Sequence, residues 1–172
     1  VAAVINQKDS ITEGIRHAQE VIDGSMTMLL LTSEGIYAAR DRMGRTPLVI
    51  GKKKGAFCAS FESFAYLNLG YKDYKELGPS EIVFITPESV ETVAEAKQEM
   101  KICTFLWVYY GFPATSYEGI SVERMRNRTG ENMAKRDEEI GDVQADIVAG
   151  LPESGIAAAV GYANASHVPF AR

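Results

Sequence analysis

The stretch ADIVAGLPESGIAAAVGYANAS, Ala145 to Ser166, limits the fold more than any other part of the chain. An apolar strand-like run meets a Pro-Glu-Ser-Gly turn and then an alanine-rich helix, the signature of a β-α unit of parallel α/β type. Ile156, Ala159, Val160 and Ala163 fall on one helical face, small enough to lie close to a sheet. A helix start leaves up to four N–H groups unpaired at the positive end of its dipole, so an anion can sit there. Ser154 and Gly155 are small enough to admit a phosphate to the backbone, and Ser154 adds a hydroxyl. Glu153 is an unfavourable neighbour for that charge unless it turns away or meets a metal through water. The same residues also read as an ordinary corner with Ser154 as N-cap. Pro152-Glu153-Ser154-Gly155 lacks the full glycine pattern of a phosphate loop, so residue types alone leave both readings open.

The first 96 residues follow another plan. Ser10 and Glu13 form a capping box ahead of Ile11, Ile15, Ala18 and Ile22 at helical spacing, with a stop near Asp23-Gly24. MTMLLLT and GIYAAR then read as a hairpin around Ser33-Glu34-Gly35. Strands PLVIG and AFCAS follow, then a short helix from about Ser63 to Leu69, and strands EIVFIT and VETVAEA around Pro87-Glu88-Ser89. The pattern changes between Lys97 and Cys103. Beyond it come an aromatic run, a loop from Pro113 to Gly119, and a helix from Ser121 carrying Val122, Met125, Thr129 and Met133 on one side. Arg124, Arg126, Arg128, Lys135 and Arg136 read as a solvated face balanced by Glu123, Glu131, Asp137 and Glu138. The expected architecture is α+β followed by α/β.

Charge and cysteine content narrow the function. A net charge of −5 with 172 residues argues against a nucleic-acid partner, which wants a basic face. Apolar runs such as Met28 to Leu31 and Ile156 to Val160 fall far short of a membrane span. Cys58 and Cys103, a whole element apart, fit reduced thiols in a cytoplasmic protein. Val1 lies inside an apolar run, and the chain stops where Val168 to Phe170 begin to read as a strand, so an internal piece of a longer chain is expected.

Other candidates have competing readings. In ARDRMGRTPLVIG, Arg40, Arg42 or Arg45 could hold a carboxylate or phosphate, or Asp41 and Gly44 could simply build a charged turn. Cys103, among Phe105, Trp107 and Tyr109, reads as a buried core thiol before it reads as a nucleophile or ligand. His17 lies on a polar helix and His167 at a helix end; no nucleophile–base arrangement follows from spacing.

In this order, GSMTMLLLTSEGIYAARDRMGRTPLVIG, CTFLWVYYGFPATSYEGISVERMRNRTGENMA and ADIVAGLPESGIAAAVGYANASHVPF resemble the glutamine phosphoribosylpyrophosphate amidotransferases over nearly the whole chain. The first piece, with its R-D-x-x-G-x-x-P-L pattern, is shared with other class II glutamine amidotransferases, including asparagine synthetases; the segment from Cys103 to Phe170 is the specific part. The resemblance implies the end of an αββα Ntn-hydrolase (class II glutaminase) domain over residues 1–100. Over 101–172 it implies a linker and the start of a type I phosphoribosyltransferase domain. It implies transfer of ammonia from glutamine to phosphoribosylpyrophosphate, the first step of purine synthesis, with magnesium on the phosphates and a homo-oligomer when intact.

Pro152, Glu153, Ser154 and Gly155 match the family's pyrophosphate loop. No catalytic residue is expected in this piece, because the family's leading cysteine would precede Val1, so the piece itself should be inactive. Cys103 matches a ligand of a 4Fe–4S cluster found in some members, with the other three expected beyond Arg172. The chain departs from the family at Phe61-Glu62, where a Ser-Glu pair is common, and at Thr46, which takes a usual arginine site. A non-catalytic sensor of phosphoribosylpyrophosphate is the alternative from another class; its basic DNA-binding domain is hard to place in the acidic, strand-rich front.

Overall fold

Ser10 accepts a hydrogen bond from the Glu13 N–H at 3.2 Å, so the serine half of the capping box forms, while the Glu13 carboxylate accepts from the Ser10 hydroxyl at 3.2 Å instead of from its N–H. In the computed structural model, which describes residues 1–171, the helix it starts is α2 (Ile11–Val21); a single turn, α1 (Ala2–Ile5), precedes it. Strands β1 (Met28–Leu31) and β2 (Ile36–Ala39) make the expected hairpin. β3 (Val49–Lys53) and β4 (Ala56–Ser60) make a second. A short helix α3 (Phe64–Leu67) leads to β5 (Lys72–Glu76), and β6 (Ile82–Ile85) pairs with β7 (Val90–Ala94).

The described strands of this half form two sheets, ordered β1-β2-β6-β7 and β4-β3-β5. Neighbouring residues on β2 point to opposite faces. Ala39, opposite Ile82, joins Ile5, Ile15, Ala18 and Met26 in a core under the helices. Ala38, opposite Val83, joins Leu48, Ile50, Leu77 and Ile85 in a second core toward the smaller sheet. The result is a helix layer and two sheet layers. Strand β5 was not legible as a strand, because KDYKE is polar throughout; it forms by pairing with β3.

Chain contacts divide the molecule into two compact units between Cys103 and Thr104. The second unit opens with a π-helical turn, Leu106–Tyr110, in the aromatic run; β8 (Ser116–Tyr117), inside the expected Pro113–Gly119 loop, pairs with β9 (Ile120–Ser121) just after it. Helix α4 (Val122–Ile140) begins as expected, with Ser121 accepting from the Arg124 N–H, and ends at Gly141 in the left-handed region. Strand β10 (Val148–Ala149), helix α5 (Ile156–Ser166) and β11 (Phe170–Ala171) follow, and β10 and β11 pair in parallel.

Two expectations for this unit are corrected. The buried face of α4 is Val122, Arg126, Gly130 and Ala134, while Met133 is exposed. The i, i+4 row wins because α5 packs on it without side chains between the backbones. A Cβ on Gly130 would overlap the Ala158 carbonyl, and one on Gly161 the Asn127 carbonyl. The expected strand is also shorter than its apolar run: β10 spans only Val148–Ala149, and Ile147 and Leu151 beside it are exposed.

Candidate functional site

The turn between β10 and α5 closes tightly on itself. The Gly155 N–H donates to the Leu151 carbonyl at 2.9 Å, and the Ile156 N–H to the Glu153 carbonyl at 3.3 Å. A Cβ on Gly150 would stand 2.8 Å from the Ile156 Cα, and one on Gly155 2.9 Å from the Leu151 carbonyl oxygen. Both glycines are therefore there for close backbone approach. The Pro152–Glu153 peptide is cis.

Ser154 is not the N-cap. Gly155 holds that position, with φ −84° and ψ −15° and no side-chain cap. The tight turn brings the chain into helical geometry one residue later than a serine cap requires, which frees the Ser154 hydroxyl. Among the described residues, that hydroxyl and the N–H groups of Ala157 and Ala158 have no hydrogen-bond partner. Ser154 is half-buried, and Pro152 and Glu153 are exposed. Three unpartnered donors thus lie at the positive end of an 11-residue helix. An oxyanion is the ligand that such donors suit.

The arginine–aspartate turn is structural. Asp41, fully buried, accepts from the N–H groups of Met43, Arg45 and Thr46 at 3.1, 2.9 and 3.0 Å. Hydroxyls of Thr27 and Thr46 each donate to it at 3.1 Å. Arg40, also fully buried, donates to the carbonyls of Thr46, Gly44 and Leu77. Thr46 spends its hydroxyl inside this network. Arg40 and Asp41 thereby hold the turn, and neither faces a ligand.

Cys103 is exposed, which corrects the reading of a core thiol; Trp107 is the buried member of that run, at 6 % exposure, while Phe105 and Tyr109 face outward. Its N–H donates to the Arg45 carbonyl. Among the described residues no three His, Cys, Asp or Glu side chains converge as metal ligands. The donors in hand therefore do not by themselves fit a 4Fe–4S cluster or a protein-held magnesium ion. His17 lies 3.4 Å from the Gln7 amide oxygen, and His167 caps α5 in the left-handed region at φ 61°.

Sequence reasoning missed Arg126. Instead of facing water it is 3 % exposed and donates to the carbonyls of Trp107, Tyr109 and Gly111 at 2.7, 3.0 and 2.8 Å. A π-helical turn ends with carbonyls that no helical N–H reaches, and a guanidinium fork can gather several of them. The available clue was the i, i+4 row Val122-Arg126-Gly130-Ala134, in which an arginine stands among small and apolar residues.

No protein-family model matches the chain. The amidophosphoribosyltransferase of Archaeoglobus fulgidus is 31% identical over 95% of the chain and 35% of the relative. That of Synechococcus elongatus is 34% identical over 86% of the chain and 30% of the relative. A solved structure of the allosteric regulatory enzyme of purine biosynthesis superposes with a TM-score of 0.88 at 27% identity, covering 99% of this chain and 36% of that one. The Bacillus subtilis glutamine phosphoribosylpyrophosphate amidotransferase, solved with ADP and GMP, gives 0.87 at 27% identity, covering 99% and 37%. The chain thus spans about a third of the length of the relatives it matches.

Proposed function

We propose that this chain, which matches an internal third of the amidophosphoribosyltransferases, is part of such an enzyme. On this reading residues 1–100 close a glutaminase domain of Ntn-hydrolase type, and 101–172 open a type I phosphoribosyltransferase domain. The intact enzyme would release ammonia from glutamine. Ammonia would then form a bond to C1 of phosphoribosylpyrophosphate while the C1–O bond breaks, its electron pair leaving with pyrophosphate. Phosphoribosylamine, glutamate and pyrophosphate are the products, as in the first step of purine synthesis, and the cytoplasm is the proposed location.

The observation that carries the reading is the Pro152–Gly155 turn, with its three unpartnered donors at the start of α5. The Ser154 hydroxyl and the Ala157 and Ala158 N–H groups would hydrogen-bond the oxygens of the diphosphate. Such donors stabilise a leaving group most as its negative charge grows. Gly150 and Gly155 let the turn close on its own backbone, which sets where α5 starts. Magnesium would add charge neutralisation when bound with the substrate; nothing else here depends on it. On this reading the glutamine-cleaving residues would lie outside these 172 residues.

The test is a coupled assay of the full-length protein. Glutamine and phosphoribosylpyrophosphate together should give pyrophosphate and glutamate in equal amounts. Glutamate without pyrophosphate, at saturating phosphoribosylpyrophosphate, would point to another class II amidotransferase.

A further inference from the structure

A cavity of about 240 Å³ lies in the first unit. Its walls come from four segments tied together by hydrogen bonds. The Gln19 amide, on α2, donates to the carbonyls of Arg40 at 2.8 Å and Ser80 at 3.3 Å. The Ser80 N–H donates to the Asp41 carbonyl, its hydroxyl to the Arg42 carbonyl, and the Lys97 N–H to the Pro79 carbonyl. The backbones of these segments and the Gln19 amide are thus held in place, while the charged side chains on them are exposed.

What lines the cavity is unusual. Arg16, Arg42 and Lys97 bring three positive charges, and Glu20 and Glu95 two negative ones. Among the described residues, none of these five side chains has a hydrogen-bond or ion-pair partner, although opposite charges share one small space. Arg16 and Glu20 even stand four apart on α2, in the less favourable order for a helical ion pair. Gln19 is 4 % exposed. Its amide N–H groups are engaged, whereas its oxygen has no donor and still reaches solvent. The cavity is the place where Gln19 meets that solvent.

From this arrangement we infer a binding site for a small zwitterion that carries a phosphate and a primary ammonium group. The two guanidinium groups and Lys97 take the phosphate, whose charge and fork geometry suit arginine. The Gln19 oxygen and the carboxylates of Glu20 and Glu95 take the ammonium. The volume lies below the range typical of drug-sized ligands, which selects a compact metabolite over a nucleotide. This site is independent of the diphosphate turn, and either can stand without the other.

The probe is phosphoethanolamine, titrated calorimetrically into the full-length protein with pyrophosphate present at saturation. Saturable binding is expected below about 1 mM. Inorganic phosphate or ethanolamine alone should bind at least about tenfold more weakly. The R42A/K97A protein, altered only at exposed side chains, should keep its melting temperature and lose at least about tenfold in affinity for phosphoethanolamine. E20Q should weaken phosphoethanolamine and leave inorganic phosphate unchanged. The inference is overturned by absent heats, by inorganic phosphate binding as tightly as phosphoethanolamine, or by R42A/K97A binding like the parent.

Discussion

Asp41 shows how one side chain can set a turn. Five donors point at a carboxylate with no exposure; its removal leaves three N–H groups without an acceptor, while the two hydroxyls can still donate to the Thr46 carbonyl and Thr27 Oγ1. Each buried orphan costs about 1–3 kcal/mol, partly recovered where water enters. D41A should therefore lose at least about 3 kcal/mol, read from urea midpoints at an unchanged m-value; a loss within experimental error would show the network to be incidental. Tyr66 gives a pH-dependent counterpart. It is 3 % exposed and donates to the Asp73 carboxylate at 2.7 Å. Burial first, then this hydrogen bond, push its hydroxyl well above the usual tyrosine range, and burial likewise raises the Cys58 thiol. Unfolded chains would lose these protons first, so stability falls as pH climbs past the ordinary tyrosine value near 10. Urea melts between about pH 8 and 11 should show that fall, and Tyr66→Phe should flatten it. An unchanged slope would remove Tyr66 as its source.

The pair α4 and α5 poses the same question for whole elements. Two glycines, Gly130 and Gly161, let the backbones meet, each where a Cβ would strike a carbonyl of the other helix. Replacing glycine by alanine in a helix normally gains about 1 kcal/mol. Here overpacking decides the sign, at a typical cost of about 1–3 kcal/mol. Gly161→Ala should lower the melting temperature, whereas Asn164→Ala, on the exposed side of the same helix, should leave it level or raise it. If both raise it, the helices are not held by backbone contact. The same geometry bears on the Pro152–Gly155 turn, since α5 is fixed from behind while the donors at its start stay open.

At the scale of the molecule, the sequence carried its own elements unevenly. The Ser10 capping box and the hairpins at Ser33–Gly35 and Pro87–Ser89 were legible because each depends on residues a few positions apart. Strand β5 and the β8–β9 hairpin were not, since polar or two-residue strands form only through partners elsewhere in the chain. Arg126 hid for a related reason: its burial depends on carbonyls 15 to 19 residues away. The Pro152–Gly155 turn was placed correctly, but its cap was assigned one residue early, and that difference is what leaves the Ser154 hydroxyl free. The cavity at Gln19 could not be read at all, because its charges come from four separate segments.

The central claim is that this turn receives the diphosphate of phosphoribosylpyrophosphate. Equilibrium binding of that substrate, with magnesium, to full-length parent and Ser154→Asp proteins tests it most directly. A carboxylate among the three donors should weaken binding at least about thirtyfold, with the melting temperature and glutamine hydrolysis kept. Equal affinity for the two proteins would contradict it.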